Sequence, residues 1–246
     1  MFGDGAAIRA FYQTRQGKNV CSLLAPHVEA FWDQGPNAHN AAIGFGAPFM
    51  TEITGGLALL PRRYGPLAWP VDRPVRSALV DPHHLPLQDV QLDRLLLAHA
   101  LEFDANPMRL LGEAWRSLDG GGRLMVIVPH RLGLWARAEH TPFGHGRPYS
   151  GRQLRQVLVE TGFEITSMRT VLFMPPAARD WTLRVAPTIE RLGARWAKPL
   201  GGVLVAEANK LLYAPAGNTS KVRANKGLKT ARLAPQSSRV IQTMDD

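Results

Sequence analysis

At 246 residues and 45% hydrophobic, the chain has material for one large α/β domain or two small ones with a true core. Its single cysteine, Cys21, excludes an intramolecular disulfide framework and an all-cysteine metal cage. Of the net charge of +9, +4 falls after Ala216, where Lys221, Arg223, Lys226, Lys229, Arg232 and Arg239 face only Asp245 and Asp246, so the body is mildly basic.

The first residues, MFGDGAAIRAFYQTRQGK, lack the basic-then-apolar order of a signal peptide. No apolar run reaches the roughly 18–20 residues that span a bilayer. Together these predict a soluble cytoplasmic protein without a transmembrane segment. Residues 6–34 carry Ile8, Phe11, Tyr12, Val20, Leu24, Val28, Phe31 and Trp32 at three- and four-residue spacings, interrupted at Gly17 and ended by Gly35-Pro36. They predict an N-terminal helical cover, 1–36, ahead of an α/β domain, 37–215.

Asn40–Ala47 reads as a small-residue strand running into a Gly44-Phe45-Gly46 turn, with a helix from Phe49 through Ile53. Glycines there let backbone N–H groups approach a ligand, and a helix N-terminus beside them favours an anion. The dinucleotide fingerprint, however, needs a third glycine, and the position three after Gly46 is Phe49. Gly56–Pro61 is the second strand; it ends in Pro61, Arg62 and Arg63, where a ribose-binding fold ordinarily places a carboxylate. Pro66, Pro70 and Pro74 then forbid a regular crossover helix.

Arg76–Val80 is a third strand stopping at Asp81-Pro82, and Leu92–Leu97 a fourth, apolar throughout as a buried parallel strand should be. Asn106 and Pro107 suit the N-cap and first turn of a helix whose apolar stripe reads Met108, Leu111, Ala114, Trp115 and Leu118. Asp119-Gly120-Gly121-Gly122 ends it before a fifth strand, Arg123–Val128. The long polar loop 130–150 holds His130, His140 and His145 with Trp135, Phe143 and Tyr149, side chains suited either to wall an acceptor pocket or to pin the loop. Ser150 and Gln153 form a capping box. A strand at Phe163–Phe173, a helix at about Trp181–Trp196 and a last strand at Gly202–Tyr213, expected antiparallel, complete the domain, followed by a disordered basic tail, 216–246.

This order resembles the class I S-adenosylmethionine-dependent methyltransferases, most closely the bacterial methyltransferase type 11 branch, over about residues 40–175. The matching residues are Gly44-Phe45-Gly46, Asp81 to Pro86 in the place of an aspartate-x-x-x-Leu-Pro loop, Asp93, His99 to Glu102, Glu113 to Leu124, Tyr149-Ser150, Leu154 and Gly162-Phe163. The resemblance implies a Rossmann-like, mostly parallel sheet with helices on both faces and S-adenosylmethionine as cofactor. By position, Gly44, Phe45 and Gly46 would line its methionine and ribose side, Asp81 and Pro82 its adenine, and Ala98 and His99 would close the pocket. The second-strand acid is the departure, and its loss lowers expected affinity roughly 10- to 100-fold.

His99 is the candidate catalytic base, needed where the acceptor must lose a proton. His83 and His84 diverge as neighbours in an extended loop, and no metal site is expected. The function read from these residues is methyl transfer to a small-molecule or lipid-like acceptor. Two alternatives stand beside it: a non-catalytic binding or regulatory module of the same fold, and a nucleic-acid or protein methyltransferase anchored by the basic tail.

Overall fold

The computed structural model describes residues 5–32, 35, 38–50, 56–71, 73–176, 180–196 and 200–211. Apolar runs become seven strands: β1 (Asn40–Gly44), β2 (Leu57–Pro61), β3 (Ser77–Val80), β4 (Leu92–Ala98), β5 (Leu118–Pro129), β6 (Phe163–Val171) and β7 (Val203–Lys210). They form one sheet in the order β3-β2-β1-β4-β5-β7-β6. Every pairing from β3 to β5 is parallel, while β7 inserts antiparallel between β5 and β6. The chain leaves β1 toward β2 on one side and reaches β4 on the other, so β1/β4 is the topological switch point, beside which ligands bind in open α/β sheets.

Strand alternation divides the core into two layers. Ala42, Leu96, Ala98, Met125, Ile127 and Val205 face one side; Ala41, Ile43, Leu95, Leu97, Leu124, Val126 and Ala206 face the other. The second side is covered by α3 (Pro107–Ser117) and α4 (Gly151–Glu160), the connections on either side of β5. The first is covered by α1 (Gly5–Gln13), α2 (Arg15–Glu29) and α5 (Asp180–Trp196). Proline blocks a helix between β2 and β3, where only a 3-10 turn at Arg62–Tyr64 forms, and the N-terminal helices supply the missing cover.

Local chemistry sets several boundaries where expected. The Asn106 side chain accepts from the Arg109 N–H with Pro107 following, and Ser150 with Gln153 makes a reciprocal capping box. Other boundaries need correction. The α3 stripe is Leu110, Leu111 and Ala114, while Met108 is exposed and Trp115 half-buried. The Asp119–Gly122 stretch is no simple turn: β5 begins at Leu118, which pairs with Leu92, and the next pair is Arg123 with Arg94, so these four residues bulge out of the ladder. In place of a helix starting at Phe49 there is a 3-10 turn, Ala47–Phe49, followed by an extended Met50; positions 51–55 lie outside the described residues.

The compact unit runs from Met1 to Leu212 and unites the N-terminal helices with the sheet. The basic tail lies outside the described residues. Among the described residues no helix is long and apolar enough to cross a membrane.

Candidate functional site

At the switch point the ends of β1 and β4 approach closely. Gly44, at φ +93°, leaves no room for a side chain, because a Cβ there would stand 2.2 Å from the Ala98 carbonyl oxygen. Phe45 N–H donates to that same carbonyl at 2.7 Å. Gly44, Phe45, Gly46 and Ala98 are therefore gathered at one place, but all are buried.

His99 follows at φ +51°, a left-handed conformation uncommon for a residue with a Cβ. It turns the ring inward, where it is 2% exposed. Nδ1 lies 3.0 Å from Glu102 Oε1, and Nε2 lies 2.7 Å from the Tyr12 hydroxyl. Burial pushes the Tyr12 pKa well up, so its phenol keeps the proton and donates to Nε2. The ring is consequently the Nδ1–H tautomer, donating to Glu102. Glu102 Oε2 is buried without a hydrogen-bond partner among the described residues. Tyr64 hydroxyl, its own pKa raised chiefly by burial, donates to the His99 carbonyl.

Rings fill the space around this Tyr12–His99–Glu102 chain. Tyr12 stacks on Phe45 at 5.9 Å and 7° and meets Phe49 edge-on at 5.6 Å. Phe143 lies 4.8 Å from the His99 ring. Of the expected aromatic wall, Phe143 therefore borders His99. Trp135 instead pins the loop through Nε1–H to the Met174 carbonyl at 2.7 Å, and Tyr149 reaches the Leu101 carbonyl.

Beyond the wall made by Tyr64 and Phe103, the edge over β2 and β3 is open. A cavity of about 420 Å³ is lined by Pro61, Arg62, Arg63, Val80, Asp81, Pro82, His83, Phe103, Asp104 and Ala105. Asp81 is 49% exposed, and its carboxylate holds its own turn, accepting from His83 N–H at 2.9 Å and from His84 Nδ1 at 3.1 Å. These bonds, the backbone one first, keep its pKa below the usual aspartate value. The two histidines diverge: His83 Nε2 meets Asp104 at 2.8 Å, whereas His84 Nε2 meets Arg109 at 2.8 Å. Arg63 lies over the Tyr64 and Phe103 rings and donates to the Phe103 carbonyl, latching the β2 end to the β4 end. Among the described residues no three metal-ligating side chains converge.

Two carboxylates escaped the sequence reading. Glu102 stands three residues after His99, a spacing that was legible. Asp104, 7% exposed, accepts at Oδ1 from His83 and from Asn106 N–H, leaving Oδ2 without a hydrogen bond among the described residues. It brings an acid to the cavity from the β4 side, opposite the missing β2 acid. A larger cavity, about 680 Å³, lies along β6 beside His27, His130, Arg169 and Glu190, but none of the sequence-predicted site residues line it. Its carboxylate, Glu190, is spent on the Leu172 and Phe173 N–H groups.

Sheet order, the antiparallel β7 and helices on both faces define the class I methyltransferase fold. A methyltransferase of Thermotoga maritima described as dependent on S-adenosylmethionine superposes with a TM-score of 0.60 at 19% identity, covering 82% of this chain and 94% of that one. The [4+2]-cyclase SpnF shares the fold at a TM-score of 0.52 and 17% identity, covering 76% of this chain and 79% of its own, so the fold does not by itself specify methyl transfer. By sequence, an uncharacterised protein of Mycobacterium tuberculosis is 25% identical over 195 residues, 74% of this chain but 66% of that protein's length. No family model matches the chain. The likeness is to the class as a whole.

Proposed function

We propose that the chain is an S-adenosylmethionine-dependent methyltransferase acting on a small-molecule acceptor that must lose a proton. The observation that supports this most is the His99–Glu102 pair. A strained backbone and a buried, oriented imidazole at a switch point are costly to maintain for packing alone, and they are what a general base requires.

The cofactor fits in part. Its adenosyl group suits the 420 Å³ cavity, within the size range of ligand sites. Val80, Pro82, Phe103 and Ala105 offer apolar walls there, Asp81 an acceptor for the adenine amino group, and Asp104 Oδ2 an acceptor for a ribose hydroxyl. The methionine end fits the β1/β4 crevice only with Tyr12 withdrawn from Phe45. Bound there, the cofactor supplies a methyl group already activated on a sulfonium sulfur. The protein's remaining tasks are to align the acceptor and take its proton. His99 Nε2 takes it, and Glu102 holds the ring in the tautomer that leaves Nε2 free to do so.

The filled crevice gives the second reading some support: a module of this fold that binds without transferring a methyl group. Calorimetric titration with S-adenosylmethionine tests both. The enzyme reading expects saturable binding, and neither heat nor a thermal shift at millimolar cofactor would overturn it.

A further inference from the structure

Resting on that reading, we infer that the acceptor is a small phenol, and that Tyr12 of α1 is its internal stand-in, seated in the acceptor's cradle while the site is closed. Each part of the Tyr12 side chain meets a group that a phenolic substrate would need. Its ring lies flat on Phe45 and edge-on to Phe49, a cage selecting a planar aromatic over a saturated ring. Its hydroxyl donates to His99 Nε2, the proposed base, at 2.7 Å. Glu102 on the far nitrogen completes a line from hydroxyl to carboxylate, the order used wherever a histidine activates a hydroxyl.

The stand-in comes from an element able to leave. α1 spans the crevice as one short helix of nine residues, Gly5–Gln13. At its start Gly5 rests against the Tyr64 carbonyl, which a Cβ would approach to 2.1 Å. Arg9 donates to the Pro66 carbonyl at 3.1 Å, and Phe11 meets Phe143 edge-on. These contacts reach both rims of the crevice, and no covalent link or ion pair is recorded for α1 among the described residues. Lifting α1 removes Tyr12 and uncovers His99, Phe45 and the methionine side of the cofactor site in one motion. In the open form the phenol hydroxyl gives its proton to His99 Nε2, and its oxygen bonds to the methyl carbon as the carbon–sulfur bond breaks. Sulfur keeps that electron pair; the products are an aryl methyl ether and a neutral thioether, and His99 returns the proton to solvent.

The test uses the full chain and 4-methylphenol, with 4-methylcyclohexanol as saturated control. At about 10 mM, above the millimolar effective concentration of a tethered group, the phenol should speed hydrogen exchange of the α1 amides several-fold while the control does not. Unchanged exchange, or equal acceleration by both, overturns the inference whether or not the cofactor binds. With S-adenosylmethionine added, mass spectrometry should find the methyl ether of the phenol at a rate at least 100-fold above that of the alcohol. Cofactor binding without phenol methylation sinks the phenol assignment and leaves the methyltransferase reading standing. Absence of cofactor binding sinks the reading beneath it. Tyr12→Phe keeps the ring and removes the bond to His99, so it should lower the KM for 4-methylphenol roughly 2- to 10-fold. A Tyr12 with only a packing role predicts an unchanged or higher KM.

Discussion

Above β1 and β4 the crevice is filled by rings, Tyr12, Phe45, Phe49 and Phe143, whereas above β2 and β3 the same sheet edge is an open cavity rimmed by charge. The closed region is held by burial and by backbone close approach, with His99 and Glu102 as its enclosed polar pair. The open region is held by ion pairs and turns: Asp81 with His84, His83 with Asp104, and Arg116 with Glu113 and Asp89. A cofactor with an adenosyl half and a charged amino-acid half needs both. The contrast shows that one half is ready while the other waits on α1.

Gly44→Val strikes the closed region hardest. Its φ of +93° and the 2.2 Å approach to Ala98 O forbid a branched side chain. Strain and overpacking together predict a loss of about 3–5 kcal/mol, read as a fall in Tm of roughly 6–20 °C. An unchanged Tm would mean the β1/β4 staple is not tight. From sequence alone this glycine reads as a pocket lining whose replacement spares the fold; the structure makes it a packing requirement.

Asp104→Asn strikes the open region. If Oδ2 receives the ribose, losing a charge-assisted hydrogen bond should weaken S-adenosylmethionine roughly 10- to 100-fold by calorimetry with little change in Tm. Asp93→Asn is the control, since Asp93 sits at the start of β4 and bonds His39 N–H at 2.7 Å. Equal weakening by both would erase the assignment of Asp104.

The smallest effect concerns how the open region is held at acid pH. Hydrogen bonds from Arg116 hold the Glu113 carboxyl below its ordinary value of 4.5. A carboxyl depressed in the folded state stabilises fully above its ordinary pKa, and that contribution is lost as pH falls through the depressed value. With Glu113 and Arg116 partly exposed, the difference between wild type and Glu113→Gln at pH 7 should be about 1 kcal/mol or less. Urea midpoints should show that gap shrinking toward pH 3; a gap that widened in acid would reverse the sign.

Much of the scaffold was legible because its signals are local. Leu92–Leu97 reads as a buried strand, Asn106-Pro107 as a helix start and Ser150 with Gln153 as a capping box without knowledge of the rest. The proline spacing between Arg62 and Arg76 correctly foretold the missing crossover helix, and hence the need for another cover. The site was less legible, because its decisive contacts are distant in sequence. Tyr12 and His99 are 87 residues apart, and His83 reaches Asp104 across 21. A stripe of aromatic residues in an N-terminal helix says that one face is buried, not which group its hydroxyl meets. Asp81 shows the converse: its place at a strand end was read correctly, yet much of its hydrogen bonding goes to its own turn.

The central claim is that the adenosyl side is open and the methionine side is occupied by Tyr12. The most direct measurement compares calorimetric affinities of S-adenosylmethionine and methylthioadenosine, which lacks the amino-acid end, for wild type and Tyr12→Phe. The account predicts that the two bind wild type within about threefold of each other, because Tyr12 denies the methionine end its place. It predicts that Tyr12→Phe strengthens S-adenosylmethionine roughly 2- to 10-fold and leaves methylthioadenosine unchanged. A wild-type preference for S-adenosylmethionine of a hundredfold or more, indifferent to the loss of the Tyr12 hydroxyl, would contradict it.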